Sequence, residues 1–187
     1  MFNPNNSHKI RPIISLAVLL SLIILFTPFS YIKAEKNYFP QDILTDLNQE
    51  RMAFNVKPLI FDARLNQAAF LKADNMFSQN YFDHFHQGIT PWDFIIHSGY
   101  NYRYAGENLA INYTDADEVT AAWMNSATHR KNMLNENFDH AGITIQSGEI
   151  NGKPATITVL MLGREKNNTL DWFDIPLTQI ISQLLGA

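Results

Sequence analysis

The residues of this chain that could perform chemistry are histidines, acids and hydroxyls, because the sequence contains no cysteine. The absence of cysteine excludes thiol catalysis, cysteine-ligated zinc and a disulfide scaffold. Six histidines and 18 acidic residues remain. Neutral imidazoles can bind Zn²⁺ or a similar ion, and a carboxylate beside them can orient a metal-bound water or act as a base. None of the His-Glu-x-x-His, P-loop or Gly-x-Gly-x-x-Gly motifs is present.

Four stretches that carry such residues stand out in a fixed order. Residues 81–84 read Tyr-Phe-Asp-His, and residues 104–110 read Tyr-Ala-Gly-Glu-Asn-Leu-Ala. Residues 122–134 read Ala-Trp-Met-Asn-Ser-Ala-Thr-His-Arg-Lys-Asn-Met-Leu, and residues 138–142 lead into an alternating apolar pattern. In this order and spacing the chain closely resembles the CAP superfamily, whose SCP domains occur in cysteine-rich secretory proteins, antigen 5 and pathogenesis-related 1 proteins. The resemblance covers most of the chain after the leader and is to the cysteine-free bacterial branch.

The resemblance implies a three-layer α/β/α sandwich, an α+β fold, with a central cleft lined by two histidines and two acids. His84 matches the first histidine of that cleft, Glu107 the acid of the Gly-Glu-Asn block, and His129 the second histidine. Ser126 stands where animal and plant members carry the second acid. The expected ligand-binding cleft is therefore formed by these four residues, with the second acid replaced.

Two imidazoles and one carboxylate in a cleft suit a weak divalent-metal site. His84 and His129 are the expected metal ligands for Zn²⁺ or another divalent ion, and Glu107 is the candidate catalytic base. A catalytic zinc normally keeps three protein ligands, which is one more than this pair supplies. The leading interpretation is an extracytoplasmic binding module, and a metal-dependent hydrolase is the first alternative. The resemblance adds a carrier of apolar ligands such as lipids or sterols, and a purely structural polar network also fits the residues.

Two further pairings of residues could extend the chemistry of the cleft. Ser126 and His129 are three residues apart and would share one face of a helix, as a Ser-His hydrolase could use. Ser126 lies in no Gly-x-Ser-x-Gly elbow, which disfavours that mechanism. His86 follows His84 by two residues, and in a loop both rings could reach one ion. The same spacing in a strand separates the rings, so a solvated His86 is favoured.

Eight aromatic residues fall between residues 81 and 104, around the first histidine of the expected cleft. Packing in the core and under loops is the favoured interpretation, because aromatic side chains bury large areas. The alternative is an apolar or glycan-stacking wall beside the polar cleft.

The periodicity of apolar residues predicts helices before a late hairpin. Helical spacing covers residues 40–54, 63–80, 91–98 and 115–123. Asp62 is the expected N-cap of the second helix. Residues 141–146 and 155–162 have the composition of strands, with the turn at Asn151–Gly152. Helices followed by a hairpin indicate an α+β layered domain over residues 35–163.

The first 34 residues have the layout of a secretory signal peptide. His8, Lys9 and Arg11 precede an uncharged stretch over residues 12–32, and Ala34 is an acceptable cleavage position. An uncleaved membrane anchor over residues 13–32 is the alternative, since about 20 apolar residues span a bilayer. Both interpretations place the remaining chain outside the cytoplasm, in the medium or the cell envelope.

The remaining chain is acidic. Three of the 14 basic residues and none of the 18 acidic residues precede residue 35, so the rest carries a net charge of −7. No basic run is longer than Arg130–Lys131, which argues against a nucleic-acid partner. The partner is instead an unidentified ligand, associated with the envelope or a lipid, and membrane contact is expected only through the leader.

Residues 164–187 are expected to form a polar linker and a C-terminal amphipathic helix. Apolar residues recur there at the spacing of one helix face, at Leu177, Ile180, Ile181, Leu184 and Leu185. A helix of about ten residues is marginal alone, so we expect it to dock on its own domain, with a partner or a membrane surface as the alternatives.

Export is directly testable. If residues 1–34 are a signal peptide, the native protein purified from its host should begin near Glu35. N-terminal sequencing checks this. Met1 at the start of a membrane-bound form would support the anchor, and recovery of the whole chain from the cytoplasm would exclude both interpretations.

Overall fold

The computed structural model describes residues 39–166 as five helices and four strands. The elements in chain order are α1 (Pro40–Ala53), β1 (Ile60–Phe61), α2 (Ala63–Ser78), α3 (Pro91–His97), β2 (Tyr102–Ile111), α4 (Ala116–Asn125), α5 (Ala127–Met133), β3 (His140–Ile150) and β4 (Lys153–Glu165). The leader, the linker and the C-terminal amphipathic helix predicted above lie outside the described residues. None of the helices within residues 39–166 has the length and apolar character needed to span a membrane.

The four strands form one mixed sheet in the order β1-β3-β4-β2. Strand β1 is parallel to β3, and β4 is antiparallel to both of its neighbours. The hairpin between β3 and β4 turns at Asn151 and Gly152, which both have positive φ values, of 53° and 69°. Such a pair of left-handed residues matches the twist of the two strands that it joins. The predicted hairpin and its turn are confirmed.

Strand β4 is buried on both faces, and this creates three layers. Leu160 and Leu162 pack on one face with apolar residues of α1 and α4. Val159 and Met161 pack on the other face with apolar residues of α2 and α3. Because successive side chains of a strand point to opposite faces, one strand serves both cores. The predicted α/β/α sandwich is therefore confirmed.

The predicted helix starts are confirmed by local hydrogen bonds. The side chain of Asp62 accepts from the backbone N–H of Arg64 at 2.8 Å, which caps α2. The side chain of Asp115 caps α4 by accepting from Asp117 N–H at 2.9 Å. Helices α1 and α3 each begin with a proline, and Thr90 donates its N–H to Asp93 at 2.7 Å before α3.

Two strands were not predicted. Strand β1 has only two residues, too few for a periodicity. Strand β2 contains Gly106, Glu107 and Asn108, which are residue types depleted in strands. Its partner β4 is strongly apolar, and pairing with that partner forms β2 in spite of its own composition.

Arg51 is fully buried and joins the end of α1 to the segment after α5. Its guanidinium donates to the backbone carbonyls of Lys57 at 2.8 Å, Met133 at 2.7 Å, Asn135 at 3.1 Å and Phe138 at 3.1 Å. The bond to Met133 satisfies a carbonyl at the C-terminus of α5 that has no partner within the helix, and the others bind the segments on either side. The buried cation thereby fixes the helix that carries His129.

Gly142 marks the closest approach of α2 to the sheet, and its replacement is a test of the layer packing. A Cβ at residue 142 would lie 2.0 Å from the backbone nitrogen of Asn66, so Gly142→Ala must push α2 off β3. We expect the free energy of unfolding to fall by at least about 1–3 kcal/mol, measured by urea denaturation.

Gly148→Ala is the matched control on the same strand. Its Cβ would meet the ring of Phe77 at 2.7 Å, and this ring belongs to a side chain that can rotate away. The control should therefore lose less stability than Gly142→Ala. Equal losses in the two variants would contradict a backbone clash at Gly142.

Candidate functional site

A cleft of about 320 Å³ opens at β2, between the loop that follows α2 and helix α5. Its polar lining comes from three different parts of the chain: the loop supplies His84, strand β2 supplies Glu107, and α5 supplies Thr128, His129 and Asn132. The remaining lining residues are mostly apolar or aromatic: Phe85, Pro91, Trp92, Ala105 and Gly106. The structure thus brings His84, Glu107 and His129 together in one cleft.

His84 and Glu107 form a short hydrogen bond across the cleft. The Nδ1 atom of His84 lies 2.6 Å from Oε1 of Glu107. Since an ionised carboxylate only accepts hydrogen bonds, Nδ1 carries the proton that is donated. The side chain of Glu107 is 1% exposed and that of His84 is 42% exposed, so the pair points from the interior toward solvent.

The pKa values of both partners are raised, but by different causes. The hydrogen bond to Glu107 is the main cause of the raised pKa of His84, because it favours the protonated ring. Burial raises the pKa of Glu107, although the nearby charges of His84 and Lys72 act in the opposite direction. His84 therefore retains its proton to higher pH than a free imidazole does.

The second carboxylate oxygen of Glu107 differs from the first in its hydrogen bonding. Oε2 is buried and has no hydrogen-bond partner among residues 39–166. An unpaired buried acceptor is costly, and such atoms are uncommon in folded proteins. Burial of Glu107 therefore leaves one acceptor of the carboxylate unsatisfied by the residues around it within 39–166.

Asparagines fix His129 against the sheet. Asn108 Nδ2 donates to the backbone carbonyl of His129 at 3.1 Å. Asn132 Nδ2 donates to the backbone carbonyl of Glu107 at 3.0 Å and to Asn108 Oδ1 at 2.9 Å. Burial and the charge of His84 lower the pKa of His129, so its ring is neutral at neutral pH. Asn132 was missed as a site residue, although it stands three residues after His129 in the helix.

Ser126 does not line this cleft. It ends α4 and precedes α5 with an extended ψ of 122°, so it does not share one helix with His129 as the spacing had predicted. Its Oγ lies 3.3 Å from Oγ1 of Thr128, and Thr128 is the hydroxyl residue that lines the cleft. No contact in the described residues places Ser126 beside an imidazole as a nucleophile would require.

The loop that carries His84 is held from below by α2. Lys72, which is fully buried, donates to the carbonyl of His84 at 2.9 Å. His86, expected to be solvated, instead stacks on Tyr81 with a ring separation of 3.9 Å, and its Nε2 is buried without a partner among residues 39–166. Burial lowers the pKa of Lys72 and raises that of Tyr81 to about 12.

A match between the sequence and a known protein family agrees with this geometry. Residues 44–162 match the family described as CAP, the cysteine-rich secretory protein family. The chain belongs to the CAP family. The Bacillus subtilis protein YkwD is 44% identical over 107 residues, and the Bacillus subtilis membrane protein YlbC is 30% identical over 106 residues. These matches cover 55% and 56% of this chain, but only 41% and 31% of the two relatives, so the chain spans less than half of their length.

Two solved structures share the fold. An outer surface protein from Borrelia burgdorferi superimposes with a TM-score of 0.59 at 22% identity, covering 67% of this chain and 94% of its own. An extracellular protein containing a SCP domain from Bacillus anthracis superimposes with a TM-score of 0.57 at 28% identity, covering 67% of this chain and 40% of its own. The resemblance inferred from the motifs is therefore confirmed as family membership and as fold.

The cleft has few side chains of the types that bind metal ions. Within residues 39–166 no group of three or more histidine, cysteine, aspartate or glutamate side chains is arranged to hold a metal ion. His86 does not add a third imidazole to the cleft, because its ring stacks on Tyr81. The imidazoles that line the cleft are those of His84 and His129.

The opposite pKa shifts of the two histidines are measurable by NMR. His84 should titrate above, and His129 below, the ordinary imidazole pKa of about 6.5. Glu107→Gln should lower the pKa of His84, because a neutral amide no longer favours the imidazolium. Titration of His129 above His84 would contradict the geometry of the cleft.

Proposed function

We propose that the protein is an exported binding module of the CAP family. Its cleft holds a small polar ligand group between the His84–Glu107 pair and His129, assisted by a weakly bound divalent metal. The observation that carries the proposal is the convergence of the hydrogen-bonded His84–Glu107 pair and His129 on one open cleft of about 320 Å³.

An extracytoplasmic location is supported by the sequence and by the relatives. A basic, apolar and small-residue order over residues 1–34 is typical of export. Two structural relatives are described as an outer surface protein and an extracellular protein, and one sequence relative as a membrane protein. Secretion and attachment to the envelope are both compatible with these observations.

His84 and His129 are the residues that would hold the metal. A metal-binding histidine commonly donates its other ring N–H to a carboxylate, which sets the tautomer and makes the ring more basic. His84 already donates Nδ1–H to Glu107, so Nε2 is the nitrogen that remains for an ion. His129 contributes a neutral imidazole, since its pKa is lowered. The donor set therefore fits a divalent ion such as Zn²⁺, which would supply Lewis acidity in the cleft.

Two protein ligands predict weak binding. Structural zinc sites use four ligands and bind with about 10–16 kcal/mol. The cores on both faces of the sheet are apolar and complete without an ion. Removal of the metal by a chelator should therefore leave the fold intact.

A metal-dependent hydrolase is the second candidate, and Glu107 favours it. Glu107 is the carboxylate that lines the cleft, and burial raises its pKa, as suits a general base. Glu107→Gln would keep the shape of the side chain and remove the base. A carrier of apolar ligands remains a prediction of the resemblance alone.

Calorimetric titration of Zn²⁺ into the tag-free protein tests the proposal. We expect a dissociation constant in the micromolar range or weaker, about 8 kcal/mol or less. Protons compete with the ion for imidazole, and the pKa of His84 is raised, so lowering the pH from 7.5 to 6.0 should weaken binding by about tenfold or more.

Variants of the cleft residues distinguish metal binding from hydrolysis. His84→Ala and His129→Ala should each abolish the heat of binding, whereas His97→Ala, at the end of α3 and away from the cleft lining, should not change it. Glu107→Gln should retain much of the Zn²⁺ affinity but remove any hydrolytic activity on peptides. A titration with no heat beyond that of the double-histidine variant would contradict the metal site and exclude the metal-dependent hydrolase.

A further inference from the structure

Lys72 carries a charged ammonium group although its side chain is fully buried. It lies on α2 with no exposed surface, among apolar residues that pack against the sheet. Its ammonium has three N–H donors and makes three hydrogen bonds, to Tyr81 Oη at 3.2 Å, to the Asp83 carbonyl at 2.8 Å and to the His84 carbonyl at 2.9 Å. All three acceptors belong to the loop that carries His84.

The loop is also attached to α2 through a side chain. Tyr81 Oη donates to Asn75 Oδ1 at 2.7 Å, and Asn75 lies about one turn after Lys72 on the same helix. The Lys72 ammonium lies 4.9 Å from the centre of the Tyr81 ring, and His86 stacks on that ring at 3.9 Å. The backbone and the side chains of residues 81–86 thus rest on two polar residues of one helix.

The hydrogen bonds of Lys72 act on the loop rather than on the packing of α2. Burying an ammonium is costly, and here three acceptors on one loop offset that cost. The apolar residues of α2 already pack against the sheet without the ammonium. The bonds of Lys72 instead fix the two carbonyls next to the Cα atom of His84, which sets the direction in which the imidazole leaves the backbone.

We propose that Lys72 is the positioning residue of the cleft, which holds the backbone of residues 83–84 so that Nδ1 of His84 meets Glu107 on β2. It acts through His84 and does not touch the ligand. The proposal rests on the proposed function only for the role of His84 as a metal ligand. The position of the imidazole itself is independent of any metal.

NMR of the full-length, isotope-labelled protein without metal tests the positioning. The signals to follow are the exchange-protected Nδ1–H of His84 and the backbone order parameters of residues 83–86. In Lys72→Met we expect the Nδ1–H signal to be lost and the order parameters to fall from about 0.85 toward 0.6. Lys153→Met, an exposed charge in the β3–β4 hairpin, is the matched control and should leave both signals unchanged.

Melting temperature separates a moved loop from a damaged fold. We expect Lys72→Met to melt within a few degrees of the wild type, because the methionine fills the space of the lysine stem. A folded Lys72→Met with an unchanged Nδ1–H signal and unchanged order parameters would overturn the proposal. If Lys72→Met does not fold, the shorter Lys72→Leu is measured in the same way and judged by the same two outcomes.

Zn²⁺ titration of the same variants distinguishes this inference from the proposed function. If the wild type binds Zn²⁺, Lys72→Met should bind it about tenfold more weakly while Lys153→Met does not. If the wild type does not bind Zn²⁺, the metal site fails, whereas the NMR result still decides whether Lys72 positions His84.

Discussion

The burial of the Glu107 carboxylate is the constraint on which the cleft depends. A carboxylate with 1% of its side chain exposed loses the hydration that stabilises its charge, and burial accordingly raises its pKa. Compensation comes from His84, which donates a hydrogen bond from the solvent side. The ammonium of Lys72 adds a favourable charge from beneath the loop. The loop, α2 and β2 must all be in place before this one acid can be buried.

The position of Glu107 on an edge strand explains the role of α5. In the described sheet β2 pairs only with β4, so its other edge needs partners for its backbone groups. Asn132 supplies one such partner by donating to the Glu107 carbonyl, and Asn108 binds the backbone of His129 in return. Helix α5 thus covers the strand edge and brings His129 into the cleft with the same contacts. The same hydrogen bonds therefore protect the edge of β2 and assemble the cleft.

The parts of the fold that follow from local physics could be predicted from the sequence. Helix spacing, the Asp62 cap and the Asn151–Gly152 turn are properties of a few consecutive residues, and the structure has them. Strand β2 could not be predicted in this way, because its polar centre is made a strand by the pairing with β4. Ser126 was assigned to a helix shared with His129, but the chain breaks between two short helices there.

The residues of the cleft could likewise be predicted only in part from the sequence. His84, Glu107 and His129 were identified by matching motifs, whereas their distances and charges needed the fold. Lys72 was missed, although the sequence held a signal for it. It falls on the buried stripe of α2 that Leu65, Ala68, Ala69 and Met76 define at helical spacing. A lysine within an apolar stripe implies a buried ammonium, which must find acceptors nearby.

The two histidines of the cleft differ in basicity, and their surroundings explain the difference. Glu107 keeps a proton on His84, whereas burial and the charge of His84 disfavour one on His129. Near neutral pH the ring of His129 is therefore neutral, whereas His84 keeps its proton to higher pH than a free imidazole does. The cleft therefore presents two imidazoles of different basicity, one paired with a buried acid and one held through its backbone by Asn108 at the edge of β2.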